Sequence, residues 1–92
     1  MDTKKDCPQN NIDSTKKLLL DACIASGMVL SADERVGESD AATLLGYAAG
    51  TLKNMRTVGI APPHYRRGVG GSRVSYRLID MAEWVEQSRE IL

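Results

Sequence analysis

Ninety-two residues with a formal net charge of zero and no phenylalanine make one small domain. Its core must come from Leu, Val, Ile, Met, Ala and Tyr, which leaves little room for an enclosed substrate cavity. The two cysteines, Cys7 and Cys23, stand sixteen apart with no CxxC or Cys/His pair; this excludes a disulfide framework and a zinc site, and no cofactor or metal is expected.

No window approaches the roughly 18 apolar residues of a membrane span. The stretch KKLLLDAC, residues 16–23, imitates a secretory signal, but Asp21 breaks it short of the about 7–15 apolar residues such a signal needs. A soluble, cytoplasmic protein with no membrane partner is expected. The zero net charge hides a segregation. Residues 1–40 carry five basic and eight acidic groups, and residues 80–92 carry one basic and four acidic. Residues 41–79 hold Lys53, Arg56, Arg66, Arg67, Arg73 and Arg77 and no acid at all. A solvated surface mixes signs, so this block reads as a basic patch for an anionic partner.

In chain order, residues 1–12 are polar and aperiodic and read as a flexible tail, with one domain over 13–92. Residues 13–27 predict a helix with Asp13 or Ser14 as N-cap and Gly27 just past its end. Its Leu18, Leu19, Leu20, Cys23 and Ile24 surround the helix, so burial on several sides is expected. That makes it a support helix, with a homodimer contact on any face left over. A short extended piece, MVL, and the polar segment SADERVGE follow. Residues 39–58 then read as two short helices, the first capped by Ser39 and ended by Gly46, the second carrying Leu52, Met55 and Val58 inward and stopped by Gly59. Only Gly46, Tyr47 and Ala48 separate them, which is helix-turn-helix spacing. Pro62 and Pro63 forbid further helix.

HYRRGVGGSRVSYR, residues 64–77, can be read as a phosphate-cradling nucleotide loop or as a basic hairpin. Neither a G-x-G-x-x-G nor a P-loop Lys is present, and nucleotide motifs need strand, loop and helix. Val74 and Tyr76 alternate with Arg73, Ser75 and Arg77, which gives a strand with one apolar and one basic face. Gly68, Gly70 and Gly71 supply the turn. His64 is the only histidine and has no acid or cysteine nearby in sequence, so no catalysis is expected. Residues 78–91 form an amphipathic helix. Leu78, Met81, Ala82, Val85 and Leu92 lie on one side, Trp84 at the edge, and Glu83, Glu86 and Glu90 outside.

The succession Leu44-Leu45-Gly46, Thr51-Leu52, Arg56, Gly59, Pro62-Pro63, Tyr76-Arg77, Asp80 and Trp84 resembles the MerR-like winged helix-turn-helix domains of phage excisionases and AlpA-type regulators. It covers about half the chain and leaves the N-terminal helix outside the pattern. The resemblance implies a mainly α fold with a small β-hairpin, the wing, and binding to double-stranded DNA with the second helix in the major groove. Ala49, Gly50, Lys53, Asn54, Arg56 and Thr57 are then left to face DNA from that helix. Lys53 or Arg56 would donate to guanine and Asn54 would pair with adenine. The competing role for Arg56 is an ion pair with Asp80 or a glutamate of the last helix. His64, Arg66, Arg67, Arg73 and Arg77 form the wing contacts, the arginines on phosphates. Two departures are Ala48 where the family has a Ser cap, and Gly50 in the helix's first turn.

Excision or transcriptional control by a homodimer or cooperative multimer, with an integrase or other phage protein as partner, is the expected function. The alternatives are a phage assembly adaptor resembling a small terminase subunit and a protein–protein interaction module. Small terminase subunits carry a C-terminal extension after the last helix. No such extension is expected after Leu92, which turns the expectation towards a regulator.

Overall fold

The computed structural model describes residues 3–67 and 73–88. It is mainly helical with one small sheet. The order is α1 (Thr3–Ala25), β1 (Arg35–Gly37), α2 (Glu38–Leu45), α3 (Ala49–Thr57), β2 (Tyr65–Arg67), β3 (Arg73–Arg77) and α4 (Leu78–Gln87). The three strands are antiparallel in the order β1-β3-β2. The expected glycine turn at Gly68, Gly70 and Gly71 lies outside the described residues, as do Glu90 and Leu92.

Helix α1 starts at Thr3, inside the segment read as a tail, so Asp13 and Ser14 are interior residues and cap nothing. Extending a helix that packing already holds costs far less than nucleating one, so polar residues without a pattern of their own can be carried along. Nor is α1 buried all round. Leu19 and Cys23 enter the core, whereas Leu18 and Ile24 remain 69% and 66% exposed, because α4 and, more lightly, α2 are the helices packed on it.

Helices α1, α2 and α3 end by the same device. Met28, Tyr47 and Ile60 each donate a backbone N–H five residues back, to the carbonyls of Cys23, Ala42 and Met55. Gly27, Gly46 and Gly59 donate to Ile24, Thr43 and Arg56. These paired bonds satisfy carbonyls that a helix end leaves open. At Gly46 the cost of any other residue is conformational: φ is +86°, and a Cβ there would meet nothing within 4 Å.

The start of α2 differs from expectation by a short step. Gly37 precedes the helix, and Ser39 sits inside it with its carbonyl accepting from the Thr43 hydroxyl at 3.2 Å.

One core joins every element but β2: Leu19 and Cys23 of α1, Val36 of β1, Ala41 and Ala42 of α2, Leu52 of α3, Tyr76 of β3, and Leu78, Met81 and Ala82 of α4. Small residues at 41 and 42 let α2 approach the sheet closely. Val58, expected inward, is 69% exposed, since it falls where α3 has already ended.

Strand β1 was not foreseen in the polar segment around it. It holds register with β3 through Arg35–Arg77, Val36–Tyr76 and Gly37–Ser75. A tight loop leads into it. The Ser31 hydroxyl accepts from the Arg35 amide at 2.8 Å and donates to Asp33 at 2.6 Å. Glu34 takes a positive φ of 61°, which is rare for a residue with a side chain. Its carbonyl accepts from the Leu78 amide at 2.9 Å, satisfying one of the open donors at the start of α4. Lys16 of α1 pairs with the Glu34 carboxylate at 2.8 Å.

Candidate nucleic-acid interface

Helices α2 and α3 meet across a turn of three residues, and their relative position is fixed at the Arg56 end. The Arg56 guanidinium donates to Glu38 through two bonds, Nε to Oε2 at 2.7 Å and Nη2 to Oε1 at 3.0 Å. The Tyr76 hydroxyl donates to the same Oε2 at 2.8 Å. The Arg56 and Glu38 side chains are only 12% and 18% exposed. One carboxylate at the start of α2 therefore ties down the last turn of α3 and the central strand. Hydrogen bonding from Arg56 holds the Glu38 carboxyl below its ordinary range, despite burial. Burial, with donation to Glu38, pushes the Tyr76 phenol far up. Arg56 thus has a partner, and that partner is Glu38 rather than Asp80 or a glutamate of the last helix. The pairing was invisible in sequence because eighteen residues separate the two.

The rest of α3's outer surface is free of such commitments. Ala49, Gly50, Lys53, Asn54 and Thr57 are exposed, while Leu52 is fully buried and Met55 packs against the core. The Thr57 hydroxyl donates back to the Lys53 carbonyl at 3.0 Å. No side chain caps the start of α3, where Ala48 stands.

His64 is half-buried. Its ring lies 5.7 Å from that of Tyr76, tilted by 50°, with Nδ1 3.3 Å from the Pro62 carbonyl. It packs against the sheet at the base of β2.

The sheet has two unlike faces, as the alternation along β3 predicts. Val36 pairs with Tyr76, and Arg66 with Val74; this face turns towards the helices, and Arg66 stands at its edge. On the outward face Arg35 lies opposite Arg77, Arg67 opposite Arg73, and Ser75 between Gly37 and Tyr65. The wing arginines named from the sequence are therefore divided, Arg66 on one side and Arg67, Arg73 and Arg77 on the other.

Sequence reasoning missed Arg35, which lies outside the acid-free segment on a strand with only one apolar residue. Its guanidinium donates to Asp33 at 2.9 Å and to the Ser75 hydroxyl at 3.3 Å, and lies 5.0 Å from the centre of the Tyr65 ring. Asp33 itself is held down to about 2, chiefly by hydrogen bonds from Ser31 and Arg35.

Between α3 and the sheet, Gly37, Glu38, Lys53, Arg56, Arg73 and Val74 line an open concavity. Two cations not paired with any carboxylate among the described residues, Lys53 and Arg73, thus line one groove, Arg73 from a strand position on the outward face of the sheet. No group of three metal-ligating side chains occurs among the described residues. No helix among them is long and apolar enough to cross a membrane. Comparison with protein-family models, with curated proteins and with solved structures finds no match.

Proposed function

We propose that the protein binds double-stranded DNA as a winged helix-turn-helix of the excisionase and AlpA type, in the cytoplasm, and serves excision or transcriptional control in a phage or mobile element. The observation that carries this reading is the shared groove of Lys53 and Arg73. A cation on the exposed side of a short helix and a cation on the adjoining hairpin line one concavity, and neither has a carboxylate partner among the described residues. A duplex supplies what they lack, a row of phosphates beside a groove wide enough for a helix.

In this reading α3 enters the major groove. Lys53 and Asn54 reach base edges, and Ala49, Gly50 and Thr57 lie close to the backbone. Arg56 holds α3 at its angle through Glu38 and is a positioning residue. Arg66, Arg67 and Arg73 bind phosphates, and position matters less for them than charge. A domain this small covers limited DNA, so neighbouring copies act together. The exposed Leu18 and Ile24, on opposite flanks of the buried stripe of α1, leave apolar side chains for a second copy, and an integrase is the partner an excisionase would require.

Selection from random duplexes at two salt concentrations tests this. Affinity should fall with salt with a log–log slope of about −3 to −5, as expected for four to six neutralised phosphates. Lys53→Ala and Asn54→Ala should relax base preference, whereas Arg66→Ala should weaken all sequences alike. A flat salt response removes DNA as the ligand.

A further inference from the structure

The outward surface of α3 carries two rows of side chains. Lys53 and Thr57 form one row, and Asn54 and Val58 the other, because residues four apart on a helix stand one above the next. Val58 belongs to its row although α3 stops at Thr57: it is the C-cap, and its amide donates to the Asn54 carbonyl at 3.1 Å. The rows end differently. The first ends on Thr57, whose hydroxyl is turned back onto the Lys53 carbonyl. The second ends on an aliphatic side chain that is 69% exposed and takes no part in the core. Ile60, two residues on, is 59% exposed, and TVGIAPP, residues 57–63, contains no charge. The far end of α3 is thus an apolar ledge continuous with the face that carries Asn54.

A duplex has one apolar group to offer in the major groove, the C5-methyl of thymine. We infer that Val58 is a specificity-determining residue that reads a thymine methyl beside the base pair contacted by Asn54. The inference rests on the DNA reading of α3 and adds to it a residue and a base. Four residues of helix span about 6 Å, and successive bases of a strand are about 3.4 Å apart. The thymine therefore stands within about two base pairs of the adenine that Asn54 contacts. Lys53 and Asn54 select by hydrogen bonds, whereas Val58 selects by apolar contact, and it separates thymine from cytosine because cytosine carries no methyl.

The test starts from the duplex selected from random sequence, with the Asn54 contact located by the position at which Asn54→Ala relaxes preference. Each thymine near that position is replaced singly by deoxyuridine, which removes the methyl and keeps every hydrogen-bonding group. One replacement within two base pairs should weaken binding about fourfold, as expected for one buried carbon. Val58→Ala should bind the parent duplex at least about fourfold more weakly and should no longer distinguish thymine from deoxyuridine. Val58→Ile should keep the distinction. Since Val58 lies outside the core, both variants should unfold in urea as the parent does, and the deoxyuridine comparison needs no variant.

Equal binding of every deoxyuridine duplex, with Lys53→Ala and Asn54→Ala still weakening it, overturns the role of Val58 and leaves the α3 reading standing. A deoxyuridine effect that persists in Val58→Ala assigns the methyl to another side chain and overturns it as well. Failure of the selection to yield any duplex removes the DNA reading itself, and this inference with it. Altered self-association in Val58→Ala, with thymine discrimination intact, assigns the ledge to a second copy and also overturns the proposal.

Discussion

Arg56 and Arg77 flank the same buried tyrosine region and have opposite circumstances. Arg56 is largely enclosed and bonded twice to Glu38, which neutralises its charge. Arg77 stands on the other side of the sheet, opposite Arg35, with a buried nitrogen that has no hydrogen-bond partner among the described residues. The sequence presents both as arginines in one acid-free segment. Three-dimensional neutralisation separates them: one is built into the scaffold, and the other has no carboxylate partner among the described residues.

The contrast breaks first at Glu38. Glu38→Ala leaves both Arg56 and the Tyr76 hydroxyl without their acceptor in a mostly buried place, and should cost about 2–3 kcal/mol in urea unfolding. A loss below about 0.5 kcal/mol would show that the triad does not brace α3. Arg56→Lys retains the charge but loses the fork, and should cost about 1–2 kcal/mol.

Acid gives a reversible version of the same break. The folded-state pKa of Glu38 lies below the ordinary 4.5, so the stabilisation is complete above that value and is lost as pH falls through the lowered one. Urea midpoints followed from neutral to acid pH should therefore decline less in Glu38→Gln than in the parent. Parallel curves would remove Glu38 as the cause.

The smallest effect belongs to the outer face. Arg77→Gln should change stability by no more than about 0.5 kcal/mol and in the stabilising direction, because it relieves a like-charge pair. The parent should also gain more thermal stability than this variant when ionic strength is raised.

How much of this was legible in the sequence depended on whether local pattern decided the outcome. β3 occupies the five positions that the alternation of Val74 and Tyr76 marked out, and the ends of α1, α2 and α3 fall at the glycines that the pattern named. Burial of Leu52, Leu78, Met81 and Ala82 followed from helical spacing. β1 was not legible: three residues with a single apolar side chain have no period to detect, and their partner lies about forty residues further on. With β1 went Arg35, and with it the composition of the outer face. The start of α1 was missed because neither of its expected caps is used. Arg56 was recognised as having either of two roles, but only the fold could bring Glu38 to it.

One connection in the molecule has a mechanical side. β3 passes into α4 without an intervening loop, with Arg77 the last residue of the strand and Leu78 the first of the helix, and the Leu78 amide is held by Glu34. The hairpin and α4 therefore form a single lever with no hinge at the joint. α4 extends roughly 15 Å from that joint, so a tilt of the sheet by about 5° displaces its far end by about 1.3 Å. α1 rests along α4. A tilt of the sheet is thus delivered through α4 to the N-terminal helix that rests along it.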